Sequence, residues 1–264
     1  MEGIVFGQYV PGSSLLHRLD PRTKIVVSAM LLWSVFIVET PAEFTGFGLL
    51  ILMLYIIGGV AGSFLKVMKP GLFLIVITVV LNMFFTPGET LFSIGPIPVS
   101  RTGLENGFIL ALKIMFLILI SSLLTLVTSP VQMTDGMERL MKPLKRVGFP
   151  ASELAMMINI ALRFIPTFWE ETDKIIKAQK SRGADFESWH LQKRAKYMTA
   201  LLVPLFVSSF RKADELAMAM ESRGYVVGME RTSLHKLELR PADYFVLILT
   251  AIVISIFAVF KFLS

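Results

Sequence analysis

The chain has 264 residues, 54% of them hydrophobic and only 17% charged, with a mean hydropathy of +0.68 and a formal charge of +6. A soluble domain carries about 45–50% apolar and roughly 25% charged residues, so a water-soluble globule is excluded, and so is intrinsic disorder. With no cysteine in the chain, disulfides, thiolate zinc sites and iron–sulfur clusters are excluded as well.

The first 24 residues do not read as a cleavable signal, because Pro11, Gly12, His17, Arg18, Asp20, Pro21, Arg22 and Lys24 stand where its apolar run would be. A helix needs roughly 20 apolar residues to cross the bilayer core. Phe44 to Ser63, Gly107 to Thr128 and Tyr244 to Phe260 meet that requirement, and Ile25 to Val38 and Gly71 to Phe85 are shorter candidates, giving about five spans. Lys and Arg alternate between the intervening segments. The N-terminal segment carries Arg18, Arg22 and Lys24, and a turn from Phe64 to Pro70 carries Lys66 and Lys69. The turn from Glu39 to Glu43 carries none and the loop from Thr86 to Asn106 only Arg101, whereas Ser129 to Arg240 holds eighteen of the 26 basic residues. This pattern predicts a cytoplasmic N-terminus and a cytoplasmic 129–240 segment, with the C-terminus outside and Lys261 snorkelling to the interface. The positive charge is thereby topological, and no nucleic-acid partner is implied.

A segment of that size is a domain rather than a loop. Ser129-Pro130 reads as a helix N-cap and first turn, followed by Met137, Leu140, Met141 and Leu144 on one face. Gly148-Phe149-Pro150 separates this from a helix over about Ala151 to Arg182, with Pro166 inside. A third helix runs from about Ser188 to Arg223, with Pro204 inside. The predicted fold is an all-α integral membrane protein. Residues 1–128 hold the N-terminal segment and four spans, 129–242 form a cytoplasmic domain of long amphipathic helices, and 243–264 form the last span. The Met-rich faces (Met156, Met157, Met218, Met220) fit helix packing first and a surface for changing partners second.

The two long helices end alike. Asp173 to Gly183 and Asp214 to Gly224 share the pattern D-x4-A-x2-S-R-G at an offset of 41 residues, with Ala178, Ser181, Arg182 and Gly183 matching Ala219, Ser222, Arg223 and Gly224. One copy is explained by helix termination, since Gly accepts the left-handed conformation and Arg complements the helix dipole. Two copies at identical spacing suggest two cationic fingers for two similar partners, Arg being suited by its permanently charged planar fork.

Other chemistry is missing. Gly is nowhere followed by Lys, so there is no phosphate-binding G-x-x-x-x-G-K-[ST] loop, and G-x-S-x-G and H-E-x-x-H are also absent. His17, His190 and His235 lie outside the spans and far apart, which argues against a metal site. Inside the spans ionisable residues are almost absent: Lys113 is a snorkelling side chain or a ligand, and Asn82 reads as an interhelical hydrogen bond. No catalytic residue is expected.

Three segments carry a resemblance. Tyr9 to Lys24 (with His17, Asp20, Pro21 and Arg22), Ala161 to Pro166 (with Arg163 and Pro166) followed by Ala178-Gln179 and Arg182-Gly183, and Ser222-Arg223-Gly224 resemble the transmembrane component of energy-coupling factor transporters, the EcfT/CbiQ type. Ser before each Arg, where Ala is also familiar in that family, is a small departure. The resemblance implies a non-catalytic scaffold subunit of an ATP-driven importer in the cell membrane. It would join two cytoplasmic ABC-type ATPases, which bind the ATP and Mg, to a membrane-embedded substrate-binding S-component. It also implies that Arg182 and Arg223 dock the ATPases, and that the cargo is a vitamin or a transition-metal ion. The alternatives are a stand-alone permease of another class, which would transport without ATPases, and an intramembrane enzyme, for which Lys113 and Asn82 are poor material.

Overall fold

The computed structural model describes residues 9–94, 97–186, 190–229 and 238–263. Packing divides the chain into two compact units. The first runs to Leu140 and includes the C-terminal helix; the second begins at Met141 and contains the two long amphipathic helices.

In the first unit a one-turn helix α1 (Leu15–Arg18) precedes α2 (Pro21–Ser34), whose N-cap Asp20 accepts from the Arg22 amide at 2.9 Å with Pro21 at the first position. This is the favoured N-terminal chemistry of a helix, a short acceptor side chain followed by a residue that has no N–H to satisfy. Helix α3 (Pro41–Ile57) begins with a reciprocal capping box: Glu43 accepts from the Thr40 amide at 3.0 Å while its own amide donates to the Thr40 hydroxyl at 3.3 Å. It ends at Gly58-Gly59, where Gly59 takes φ +67°. Helices α4 (Ala61–Phe85) and α5 (Arg101–Val127) follow, joined through an antiparallel hairpin of β1 (Thr90–Ile94) and β2 (Ile97–Ser100). The unit closes with α6 (Pro130–Met141) and the C-terminal helix α9 (Pro241–Leu263).

Two span boundaries differ from expectation. The predicted span Phe44 to Ser63 ends at Ile57, and the predicted basic turn Phe64 to Pro70 is helical, lying inside α4 with Lys66 and Lys69 on its exposed surface. Pro70 was the misleading signal. A proline inside a helix removes one backbone bond without having to end the helix, and α4 continues through it. Three helices (Ala61–Phe85, Arg101–Val127 and Pro241–Val259) are long and apolar enough to cross a bilayer, while Pro41–Ile57 is shorter and α2 has 14 residues. The all-α membrane reading stands, with the short hairpin as its one strand feature among the described residues.

The core lies where α2, α3 and α5 meet. Val35, Phe47, Ile51, Tyr55, Leu119 and Ile120 are almost fully buried there, and the Tyr55 hydroxyl donates to the Leu119 carbonyl at 3.0 Å, which removes the cost of burying it. Phe257 of α9 sets its ring edge-on to Phe47 at 5.8 Å. Asn82 does not make the expected interhelical bond: its amide donates to the Thr78 carbonyl in its own helix at 3.0 Å. Helices α4 and α5 instead meet through Gly103 and Gly107, the small-xxx-small arrangement that lets membrane helices approach backbone to backbone. A Cβ on Gly103 would fall 2.4 Å from the Asn82 carbonyl oxygen. A Gly103→Leu substitution should therefore push the helices apart and cost about 1–3 kcal/mol, read as a lowered unfolding midpoint in detergent, with the exposed Gly62→Leu as the neutral control.

In the second unit a 3₁₀ segment (Lys142–Val147) ends at Gly148, φ +86°, and leads into α7 (Ala151–Ser181) and α8 (Leu191–Ser222). Both helices run unbroken through their prolines, Pro166 and Pro204. The start expected at Ser188 lies outside the described residues. In the first unit Ser129 caps α6 as its sequence implies: its hydroxyl accepts from the Gln132 amide, and the Gln132 side chain accepts from the Ser129 amide, both at 3.3 Å.

Candidate functional site

The two Ser-Arg-Gly ends are built by the same backbone bonds. At the end of α7 the Gly183 amide donates to the Lys180 carbonyl and the Ala184 amide to the Gln179 carbonyl, both at 3.0 Å, with Gly183 at φ +85°. At the end of α8 the Gly224 amide donates to the Glu221 carbonyl at 2.9 Å and the Tyr225 amide to the Met220 carbonyl at 3.0 Å, with Gly224 at φ +76°. This pair of crossed bonds is the Schellman motif, which satisfies the last carbonyls of a helix and requires a left-handed residue that Gly supplies without strain. Each Ser hydroxyl turns back into its own helix, Ser181 to the Lys177 carbonyl at 3.1 Å and Ser222 to the Ala219 carbonyl at 3.0 Å. Arg182 and Arg223 are the C-caps. Both are exposed, and neither guanidinium has a partner among the described residues. Ala178 and Ala219 lie exposed one turn earlier. Replacing either glycine by alanine should cost about 1–2 kcal/mol at that helix end. The check is faster amide exchange over 176–184 or 217–225, with asparagine disturbing it less.

Helices α7 and α8 pack antiparallel, since contact positions that fall along one rise along the other. The Gln179 side chain donates to the Ala200 carbonyl at 3.4 Å, and Glu171 bonds to both Ser208 and Lys212. The two arginines are consequently carried to opposite ends of the pair. Glu171 and Lys212 are each half-buried, and the Lys212 ammonium also sits 5.2 Å from the Phe168 ring centroid. Hydrogen bonds from Lys212 and then Ser208 hold the Glu171 carboxyl below the usual carboxylate range. Arg163 and Pro166 are exposed on α7, and no described residue bonds the Arg163 side chain.

The N-terminal signature lies in the first unit and is a buried polar knot. Lys24 donates from Nζ to the carbonyls of His17 and Val127, both at 3.0 Å. Asp243, 1% exposed, accepts from the Asp20 amide and from the Arg240 amide, both at 2.8 Å. One carboxylate thus satisfies orphan amides at the starts of two helices, α2 and α9. The His17 ring is fixed between the Ser14 hydroxyl at 2.7 Å and the Val10 carbonyl at 2.9 Å, while the Val10 amide donates to the Leu126 carbonyl at 3.0 Å. Arg22 stands 3.7 Å from the Asp20 carboxylate, and Pro21 packs where α6 brings Gly136 close. Among the described residues, no group of three or more His, Asp or Glu is placed to hold a metal ion.

The family model for CbiQ, described as cobalt transport protein, matches residues 12–234. A protein of Thermosediminibacter oceani is 47% identical over 256 residues, covering 96% of both chains, and one of Bacillus subtilis is 46% identical over 239 residues, covering 90% of both. Each is an energy-coupling factor transporter transmembrane protein EcfT. The chain belongs to the EcfT/CbiQ family.

Two elements of this EcfT/CbiQ chain were missed from sequence. Lys24 and Asp243 look like ordinary charges flanking spans, and only the fold brings Asp243 to Asp20, 223 residues away in sequence. Glu171 and Lys212 carried a usable signal: they stand at the same 41-residue offset as the two Arg motifs. Lys113 is half-buried partway along α5, without a bonded partner among the described residues.

Proposed function

We propose that the chain is the non-catalytic membrane scaffold of an energy-coupling factor importer in the cell membrane, with its N-terminus and the α7–α8 pair on the cytoplasmic side. Two ABC-type ATPases dock on it, one at Arg182 and one at Arg223, and bind the ATP and Mg. A membrane-embedded S-component binds the cargo, a vitamin or a transition-metal ion, and is reoriented as the ATPases close. The observation that carries this reading is the pair of like-built helix ends, each offering an exposed cation without an internal partner among the described residues, at opposite ends of an antiparallel pair. Such an arrangement suits two bodies approaching from two directions better than one ligand in one pocket. Each guanidinium can form a bidentate, charge-assisted contact with a carboxylate, and the Schellman bonds hold it at the helix end.

The test is composition followed by transport. The tagged chain, purified from its native membrane, should retain two ABC ATPases and a small membrane protein, identified by mass spectrometry. Liposomes holding the chain alone should take up no vitamin or cobalt, and uptake should appear with the full set and ATP. Uptake by the chain alone would overturn the reading in favour of a stand-alone permease.

A further inference from the structure

We infer that Glu171 and Lys212 form a pivot that fixes how α7 crosses α8 and so makes the two Arg-bearing ends move as one lever. The inference rests on the docking role proposed above for those ends. The pair joins equivalent positions of the 41-residue repeat, so the contact lies on the approximate two-fold relating one helix to the other. Glu171 precedes Arg182 by 11 residues, and Lys212 precedes Arg223 by 11. At 1.5 Å per residue each arm is about 16 Å long. A rotation at the crossing displaces both ends equally and in opposite senses.

The local chemistry suits a pivot. Glu171 is held from α8 by the Ser208 hydroxyl and the Lys212 ammonium at once, while Lys212 is held from α7 by Glu171 and the Phe168 ring. Around them the exposed faces are flexible or smooth apolar side chains such as Ile165, Trp169, Phe206, Val207 and Phe210. Apolar faces of this kind do not choose an angle, whereas a half-buried ion pair with fixed hydrogen bonds, with the Gln179 to Ala200 hydrogen bond beyond it, specifies register. Glu171 and Lys212 are positioning residues, since neither belongs to a docking end.

The chain has no cysteine, so two introduced cysteines are the only labelling sites. Lys177→Cys and Met218→Cys mark exposed, equivalent points six residues beyond the pivot on each arm. In the full-length chain, spin labels there should give one narrow distance distribution, which broadens in Glu171→Gln and in Lys212→Met and narrows again in the Glu171→Lys, Lys212→Glu exchange. In the assembled transporter the single variants should keep their ATPases, while cargo moved per ATP hydrolysed falls about three- to ten-fold and recovers in the exchange. Distributions as narrow in both single variants as in the parent, with unchanged cargo per ATP, would overturn the inference, as would an exchange that restores neither readout. Absence of ATPases from the unsubstituted chain would refute the docking reading instead, and the label distances would still decide on the pivot.

Discussion

A chain carrying Arg182→Ala and Arg223→Ala together is expected to insert and fold normally and yet to lose its ATPases on purification. The folded chain has little to lose by these changes. Both side chains are exposed and unpartnered among the described residues, and the ends are shaped by main-chain bonds and glycine rather than by the guanidinium. On the partner side, truncating one member of a desolvated charge pair costs about 2–5 kcal/mol. The two losses should add, because the ends lie up to about 33 Å apart along the antiparallel pair. Single variants should therefore weaken retention and the double variant abolish both retention and uptake. Lysine at either position keeps the charge and forfeits the planar fork, so its retention should fall between arginine and alanine. The measurement is the ATPase-to-scaffold ratio after affinity purification, beside uptake in proteoliposomes. A double variant with a normal ratio and normal uptake would remove Arg182 and Arg223 from the mechanism.

Lys24→Met should have the largest effect on the fold itself. Lys24 is 6% exposed, lies in the field of Asp20 and Asp243, and ties the His17 and Val127 carbonyls together through one ammonium. Methionine fills a similar volume but leaves two carbonyls short of a donor and removes a cation from the field of Asp20 and Asp243. Leaving a buried carbonyl without its donor costs about 1–3 kcal/mol, and here two are left, a large share of the stability of a marginal fold. Asp243→Asn is milder. It keeps the shape but replaces one of the two acceptors facing the Asp20 and Arg240 amides by a donor, at about 1–3 kcal/mol. Thermal unfolding in detergent should rank the parent above Asp243→Asn and Asp243→Asn above Lys24→Met. Equal midpoints for all three would mean that the knot contributes nothing.

What was legible in the sequence follows from the range of the interactions. Helix ends depend on residues within a turn, so Ser129 and the two Gly-terminated motifs could be placed from their neighbours alone, and α7 falls where its pattern set it. The apolar runs marked the membrane helices for the same reason. Pro70 misled because a proline ordinarily reads as a stop, whereas α4 runs on through it, as α7 and α8 run on through Pro166 and Pro204. Asn82 misled in the opposite way. Its side chain finds an acceptor within its own helix, and the contact that matters between α4 and α5 is made by glycines, which carry no side chain to suggest a role. The candidate site divides likewise. Arg182 and Arg223 were visible as a repeat, but their opposite placement depends on the antiparallel run of α7 and α8, and that run is set by contacts such as Gln179 with Ala200 and Glu171 with Lys212.

The two helix ends share their geometry but not their electrostatics. The residue whose carbonyl receives the glycine amide is Lys180 in one motif and Glu221 in the other, and the residue after the glycine is Ala184 in one and Tyr225 in the other. Because the fold is fixed by the main chain at both places, these neighbours can diverge without moving either arginine. A single backbone pattern thus sits in two different surroundings, one basic and small, the other acidic and aromatic. Under the docking role proposed above, such neighbours would let the chain tell its two flanks apart while presenting the same cation to each.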